Sequence, residues 1–221
     1  MNLPNYITLS RIFAVPLLIW VLTTTRLSSD TGVKELTAMA LFIAASLTDL
    51  VDGYLARRRG QITAMGMLLD PLADKLMIAG AFITLVQFNP RIVPAWVAVI
   101  VIGREFLVSG LRSIAAQQGF TIEASDLGKS KMVVQIVAVC AAILDHHWRV
   151  VPLPGGVVFP MEIIARMAMW FMVALSLISA IDYFAGFWAK IDRRVQRRRR
   201  SFVLSRRRKQ ALAEKRDIPV T

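Results

Sequence analysis

Residues 49–74, DLVDGYLARRRGQITAMGMLLDPLAD, place four aspartates in a chain that is otherwise strongly apolar. Asp49, Asp52, Gly53, Ala56 and Arg57 stand at i, i+3, i+4, i+7 and i+8, so a helix through them carries two carboxylates, two small residues and one guanidinium on one face. Gly66, Asp70 and Asp74 recur at intervals of four. Pro71 leaves Asp70 either capping the next helix or lying inside it, within about one turn of Asp74 in both cases. One carboxylate at the centre of a membrane span costs roughly 2.5–3.5 kcal/mol, and Arg57 alone cannot compensate four. Oxygen ligands from two facing helices suit a hard divalent cation, Mg²⁺, Mn²⁺ or Ca²⁺; softer metals would call for His or Cys, which this stretch lacks. Gly53, Ala56 and Gly66 would let a ligand or a neighbouring helix approach the backbone. Charges merely ending helices at an interface would account for one or two aspartates, not for four at this spacing.

The elements that must position these groups are helices in a bilayer. At 56% hydrophobic residues and a mean hydropathy of +0.54, the 221-residue chain exceeds the apolar content of a soluble domain. The expected fold is all-α and integral to the membrane, with six transmembrane helices near 8–24, 36–56, 70–88, 92–113, 127–146 and 161–187. No linker or internal repeat divides the apolar segments, and the start, MNLPNYITLSR, lacks a convincing cleavage site, so the first span is expected to be retained. Cys140 is the single cysteine and reads as a packing residue. Arg57–Arg59, then Arg112, Lys129 and Lys131, then the arginine-rich end all fall on one side of such a plan, which predicts both termini in the cytoplasm. His146 and His147 fall at the other end, and the five tryptophans lie mostly near span ends, as an aromatic belt would.

Residues 190–221 hold 13 Lys/Arg against three acids, +10 of the chain's net +12, so the basic character belongs to the tail. Juxtamembrane cations attract anionic headgroups at about 1 kcal/mol each, which is a simpler use of RRVQRRRRSFVLSRRRKQ than specific nucleic-acid binding.

The aspartate stretch resembles the signature of the CDP-alcohol phosphatidyltransferases: Asp, two residues, Asp-Gly, two residues, Ala-Arg, eight residues, Gly, three residues, Asp, three residues, Asp. All eight fixed positions are present. The resemblance implies attack by an alcohol hydroxyl on the lipid-linked phosphorus of a CDP-lipid, with release of CMP. It implies that Asp49, Asp52, Asp70 and Asp74 hold one or two Mg²⁺ or Mn²⁺ ions, that Asp74 also acts as general base, and that Gly53, Ala56, Arg57 and Gly66 line the nucleotide site. The corresponding domain would occupy residues 1–189, followed by the polybasic tail, 190–221.

The acceptor is addressed by cations elsewhere. GREFLVSGLR puts Arg104 and Arg112 eight residues apart on one helical face, Arg104 deep in the apolar run, where it needs a partner; Glu105 beside it is expected to point elsewhere. Lys129 and Lys131 lie on the same cytoplasmic side but, spaced by two, cannot share a helix face. Taken singly, Arg112 and the two lysines would equally well snorkel to headgroups. Four cations around a cavity suit a sugar phosphate or glycerol phosphate. NLPNYITLSR, LDPLADKLM, GREFLVSGLR and DLGKSK are similar to the phosphatidylglycerol phosphate synthase branch of the family. The departures are Met132, in place of a small polar residue, and a longer basic tail. That likeness implies transfer from CDP-diacylglycerol to sn-glycerol 3-phosphate. Asn5 and Thr8 would then lie near the diphosphate, and Arg104, Arg112, Lys129 and Lys131 would hold the acceptor phosphate.

The expected partners are the two substrates and anionic membrane lipids at the tail, with no specific nucleic acid and a homodimer left open. The expected location is a bacterial inner membrane, with the site facing the cytoplasm. Another acceptor, phosphatidylglycerol (giving cardiolipin) or inositol phosphate, is the alternative within the family. A divalent-cation carrier is the alternative outside enzymes, and it would carry ionisable groups through the bilayer midplane.

Overall fold

The computed structural model describes the backbone of residues 3–25, 31–59, 64–120, 127–152 and 158–216, and the side chains of residues 8–25, 31–48, 69, 71–120, 130–150 and 158–192. Six helices follow in order: α1 Leu3–Thr23, α2 Val33–Arg59, α3 Ala64–Phe88, α4 Ala95–Gln117, α5 Leu127–Asp145 and α6 Met161–Arg216. Between α5 and α6, β1 (Val151–Pro152) pairs antiparallel with β2 (Val158–Phe159), Val151 opposite Phe159. The expected all-α class therefore holds, with this minimal hairpin as its one addition among the described residues.

The helices close into a ring. α1 packs on α2 and α3, α3 on α4, α4 on α6, α6 on α5 and α5 on α2, while α3 also touches α5 across the middle. Buried alanines at these contacts, among them Ala38, Ala73, Ala81, Ala138, Ala142 and Ala165, let backbones approach so that Phe42, Phe82, Leu85, Val101, Ile143 and Met172 interdigitate. The α1–α3 contact is a close one. A Cβ on Gly80 would stand 2.6 Å from Val15 Cγ1, so only glycine fits without displacing that side chain.

Helix boundaries follow local chemistry. Pro94, in an extended conformation, precedes α4. Its far end is a Schellman turn: Gly119 at φ +70° lets its own N–H reach Ala116 O at 2.9 Å and the Phe120 N–H reach Ala115 O at 3.0 Å. α2 extends past its expected end at 56 to Arg59, and α3 begins at Ala64, not at 70. Asp70 and Pro71 are therefore inside α3, which decides against Asp70 as a cap. α6 continues far beyond 187, since no Gly or Pro interrupts residues 187–216 and the segment is rich in Arg, Lys, Gln and Ala, all good helix formers.

Among the described residues, Pro71–Phe88 and Met161–Asp192 are long and apolar enough to cross a membrane, and Thr8–Thr23 is a shorter apolar run. Arg104, Glu105 and Arg112 interrupt the apolar sequence of α4.

At one end of the bundle, near the start of α2 and the end of α5, polar groups are paired. His146 Nδ1 lies 2.9 Å from Glu35 Oε1 and its ring stacks on Phe88 at 3.9 Å, with Lys34 over the other partner ring at 5.1 Å. Asn89 Nδ2 donates to Ala142 O and to Asp145 Oδ2, each at 3.0 Å. These contacts hold His146 at the end opposite the signature.

Candidate active site

The other end opens into a cavity of about 630 Å³. This volume falls in the usual range for small-molecule sites. Five helices line it. Ser46 comes from α2, one turn before Asp49; Asp74 and Lys75 come from α3; α4 presents Arg104, Glu105, Val108, Ser109 and Arg112, the residues of a single face; α5 gives Lys131, Met132 and Gln135; α6 gives Ser179 and Tyr183. Four cations thus face two carboxylates, which leaves the lining net positive and suited to an anion.

Three of these cations, Arg104, Lys131 and Arg112, are anchored by hydrogen bonds. Arg104 uses both ends of its fork: Nη1 donates to Glu105 Oε1 at 3.1 Å and Nη2 to Ser179 Oγ at 2.6 Å. Lys131 Nζ donates to the same Glu105 oxygen. Glu105 therefore does not point elsewhere. Neighbours on a helix diverge by about 100°, yet two long side chains close that angle, and the lysine from α5 fixes where they meet. Arg112 Nη2 donates to the Tyr183 hydroxyl at 3.1 Å, and its guanidinium carbon sits 5.6 Å from that ring's centroid. Ser179 and Tyr183 are i and i+4 on α6, and they hold Arg104 and Arg112, i and i+8 on α4.

The structure brings together four of the residues singled out from sequence: Asp74, Arg104, Arg112 and Lys131. Thr8 is fully buried in α1, one turn before Arg11, whose side chain is also buried, at 1% exposure. Asp49, Asp52, Gly53, Ala56 and Arg57 occupy the last turns of α2, so the register that places them on one face is realised in the backbone. Gly66 and Asp70 lie with Asp74 in α3. The side chains of Asn5, Asp49, Asp52, Ala56, Arg57, Asp70 and Lys129, and the surroundings of Gly53 and Gly66, are outside the described residues.

Sequence reasoning missed Glu105 as a partner, and it missed Lys75, Gln135, Ser179, Tyr183 and the burial of Arg11. Three of these left a trace. Gln135 is four residues after Lys131, and Ser179 and Tyr183 are polar interruptions four apart in an apolar helix.

The profile of the CDP-alcohol phosphatidyltransferase family matches residues 1–178. The chain belongs to that family. Among similar members, the CDP-diacylglycerol--glycerol-3-phosphate 3-phosphatidyltransferase of Bacillus subtilis is 41% identical over 195 residues, covering 85% of this chain and 95% of that protein. The protein of the same name from Rickettsia bellii is 32% identical, covering 83% and 93%. A probable phosphatidylglycerophosphate synthase of Mycobacterium tuberculosis is 35% identical, covering 83% and 80%. The crystal structure of M. tuberculosis phosphatidylinositol phosphate synthase with CDP-DAG bound shares the fold, with a TM-score of 0.59 at 19% identity over 85% of this chain and 87% of that one. Its apo form gives 0.58 at 18%. The matched region spans Asp49 to Asp74, and of these aspartates Asp74 lines the cavity among the described residues.

Proposed function

We propose that this CDP-alcohol phosphatidyltransferase transfers the phosphatidyl group of CDP-diacylglycerol to sn-glycerol 3-phosphate, giving phosphatidylglycerol phosphate and CMP. The observation that carries the reading is the cavity, in which a signature aspartate, Asp74, shares one enclosure with Arg104, Arg112 and Lys131. The relatives' names support the same reaction. In this assignment Arg104, Arg112 and Lys131, with Lys129, receive the acceptor phosphate; Arg104, held by Glu105 and Ser179, is preorganised to do so. The acceptor's primary hydroxyl oxygen attacks the lipid-linked phosphorus. Its proton passes to the Asp74 carboxylate, and the bond from phosphorus to CMP breaks with the electron pair leaving on CMP.

The donor set fits a hard divalent ion: four carboxylates, two on one face of α2 and two on one face of α3, with Asp74 already turned to the cavity. Asp49, Asp52, Asp70 and Asp74 would hold one or two Mg²⁺ or Mn²⁺ ions, which when bound polarise the diphosphate and neutralise charge on the departing CMP. Asn5, Thr8, Gly53, Ala56, Arg57 and Gly66 are assigned to the CDP-lipid.

We assign residues 1–189 to a six-span membrane domain with both termini and the site on the cytoplasmic side of a bacterial inner membrane, and 190–221 to a basic tail. Exposed Phe13, Ile83, Val99, Phe106, Met167 and Ile181 support this, since such a surface suits lipid better than water. Arg104, Glu105 and Arg112 turn into the cavity, so the charges of α4 are no obstacle to spanning. The test is CMP release by purified protein with CDP-diacylglycerol, Mg²⁺ and a panel of alcohols. Glycerol 3-phosphate should be used, and inositol phosphate and phosphatidylglycerol should not. Turnover of either in place of glycerol 3-phosphate would overturn the acceptor assignment.

A further inference from the structure

Buried polar side chains in this bundle mostly satisfy themselves: Ser46 Oγ donates to Phe42 O at 2.8 Å, Thr84 Oγ1 to Gly80 O at 2.7 Å, and Asn89 to two acceptors. Gln135 departs from this. It is 4% exposed, its amide Nε2 is buried without a hydrogen-bond partner, and it lines the cavity one helical turn beyond Lys131 on the same face of α5. A desolvated amide donor with nothing to donate to is costly, and no packing argument calls for Gln where Leu or Met would fill the same space. Arg104 Nε is the other orphaned buried nitrogen on this lining, but Arg104 is already held through both terminal nitrogens. Whichever way round its amide is turned, Gln135 presents both an N–H donor group and a carbonyl acceptor, a set that pairs with a hydroxyl and not specifically with a phosphate.

We infer that Gln135 is a specificity residue that hydrogen-bonds the non-reacting hydroxyl of the acceptor while its neighbour Lys131 takes the phosphate. This rests on the acceptor reading given above and extends it to the acceptor's carbon skeleton. An acceptor with a phosphate at one end, a reacting hydroxyl at the other and a second hydroxyl between them satisfies the amide. One lacking the middle hydroxyl leaves it unpaired inside the occupied site, and such sites reject the deoxy analogue strongly.

The experiment compares sn-glycerol 3-phosphate with 3-hydroxypropyl phosphate, which keeps the phosphate and the primary hydroxyl but lacks the middle one. CMP release is measured at saturating CDP-diacylglycerol with the full-length protein in detergent. The wild type should favour glycerol 3-phosphate in kcat/KM by roughly 10- to 100-fold. Gln135→Leu should lose about that factor with glycerol 3-phosphate and change by less than about threefold with the analogue, so that the preference collapses toward one, while the KM for CDP-diacylglycerol stays put. Gln135→Met is the second variant should the first not fold. Equal losses with both acceptors, a preference retained in the variants, or a wild type that does not discriminate would each overturn the role of Gln135. A wild type that uses neither compound but turns over a different alcohol would instead overturn the acceptor reading on which it rests.

Discussion

If Arg104 holds the acceptor phosphate as proposed, Arg104→Gln separates acceptor recognition from chemistry. The arginine side chain is only 9% exposed and makes two bonds, to Glu105 and to Ser179. Removing one member of a buried ion pair normally leaves the other uncompensated, at about 3–5 kcal/mol. Here Glu105 keeps Lys131 as a partner, so the carboxylate is not orphaned and the fold should survive the change. In the proposed assignment what disappears is a charge-assisted hydrogen bond to the acceptor phosphate, about 1.5–3 kcal/mol. At 1.36 kcal/mol per tenfold, that predicts a loss of roughly 10- to 150-fold in kcat/KM for glycerol 3-phosphate. The loss should appear chiefly as a raised KM for that substrate, with the KM for CDP-diacylglycerol changed by less than about threefold. Arg104→Lys should recover only part of it, because a lysine cannot span Glu105 and Ser179 at once. CMP release with each substrate varied in turn decides the matter. Equal rises in both KM values, or a rise for the CDP-lipid alone, would move Arg104 to the nucleotide side and refute the reasoning.

Chelation by EDTA should stop CMP release and added Mg²⁺ restore it, and Asp49→Asn, Asp52→Asn or Asp70→Asn should each cut turnover steeply without loss of the folded protein on size exclusion; activity persisting in excess EDTA would refute the metal role. Gly80→Ala should lower the thermal midpoint in detergent by an amount equivalent to about 1–3 kcal/mol, since its Cβ meets Val15, and Val15→Ala in the same chain should restore it; an unchanged midpoint would mean the α1–α3 contact is looser than described. Tyr183→Phe removes the acceptor for Arg112 and should raise the KM for glycerol 3-phosphate roughly 2- to 10-fold, read in the same assay. Truncation after Lys190 should leave activity in neutral micelles nearly unchanged, because Ser179 and Tyr183 precede the cut, while abolishing any dependence on anionic lipid in liposomes, an effect that salt should mimic; a large loss in micelles would refute headgroup attraction as the tail's role.

The signature was legible in the sequence because its spacing is itself helical: intervals of three and four map onto one face without knowledge of the tertiary fold. The helices were legible as apolar runs, and their interiors agree with α1–α6. Their ends were less so, since charged residues such as Arg57–Arg59 and the arginines beyond Lys190 end an apolar run but not a helix. Pro71 is the same lesson reversed: a local breaker accepted inside α3. The partners of the cations were illegible for a different reason. Glu105, Ser179 and Tyr183 acquire meaning only when α4, α5 and α6 are brought together, and residues 71–75 positions apart in the chain, as in Arg104–Ser179 and Arg112–Tyr183, leave no periodic trace.

The ring of helices divides the labour between the two halves of the chain. α2 and α3 both pack on α1 and carry every fixed position of the signature; α4 and α5 pack on α6 and, with α6, supply Arg104, Arg112, Lys131, their anchors and Gln135. The cavity is the seam where these halves meet. In the proposed assignment, substitutions along Arg104, Glu105, Gln135, Ser179 and Tyr183 would reshape the acceptor end while the aspartate-bearing turns of α2 and α3 are inherited intact, so a lineage could change which alcohol it joins to lipid without reinventing how it does so.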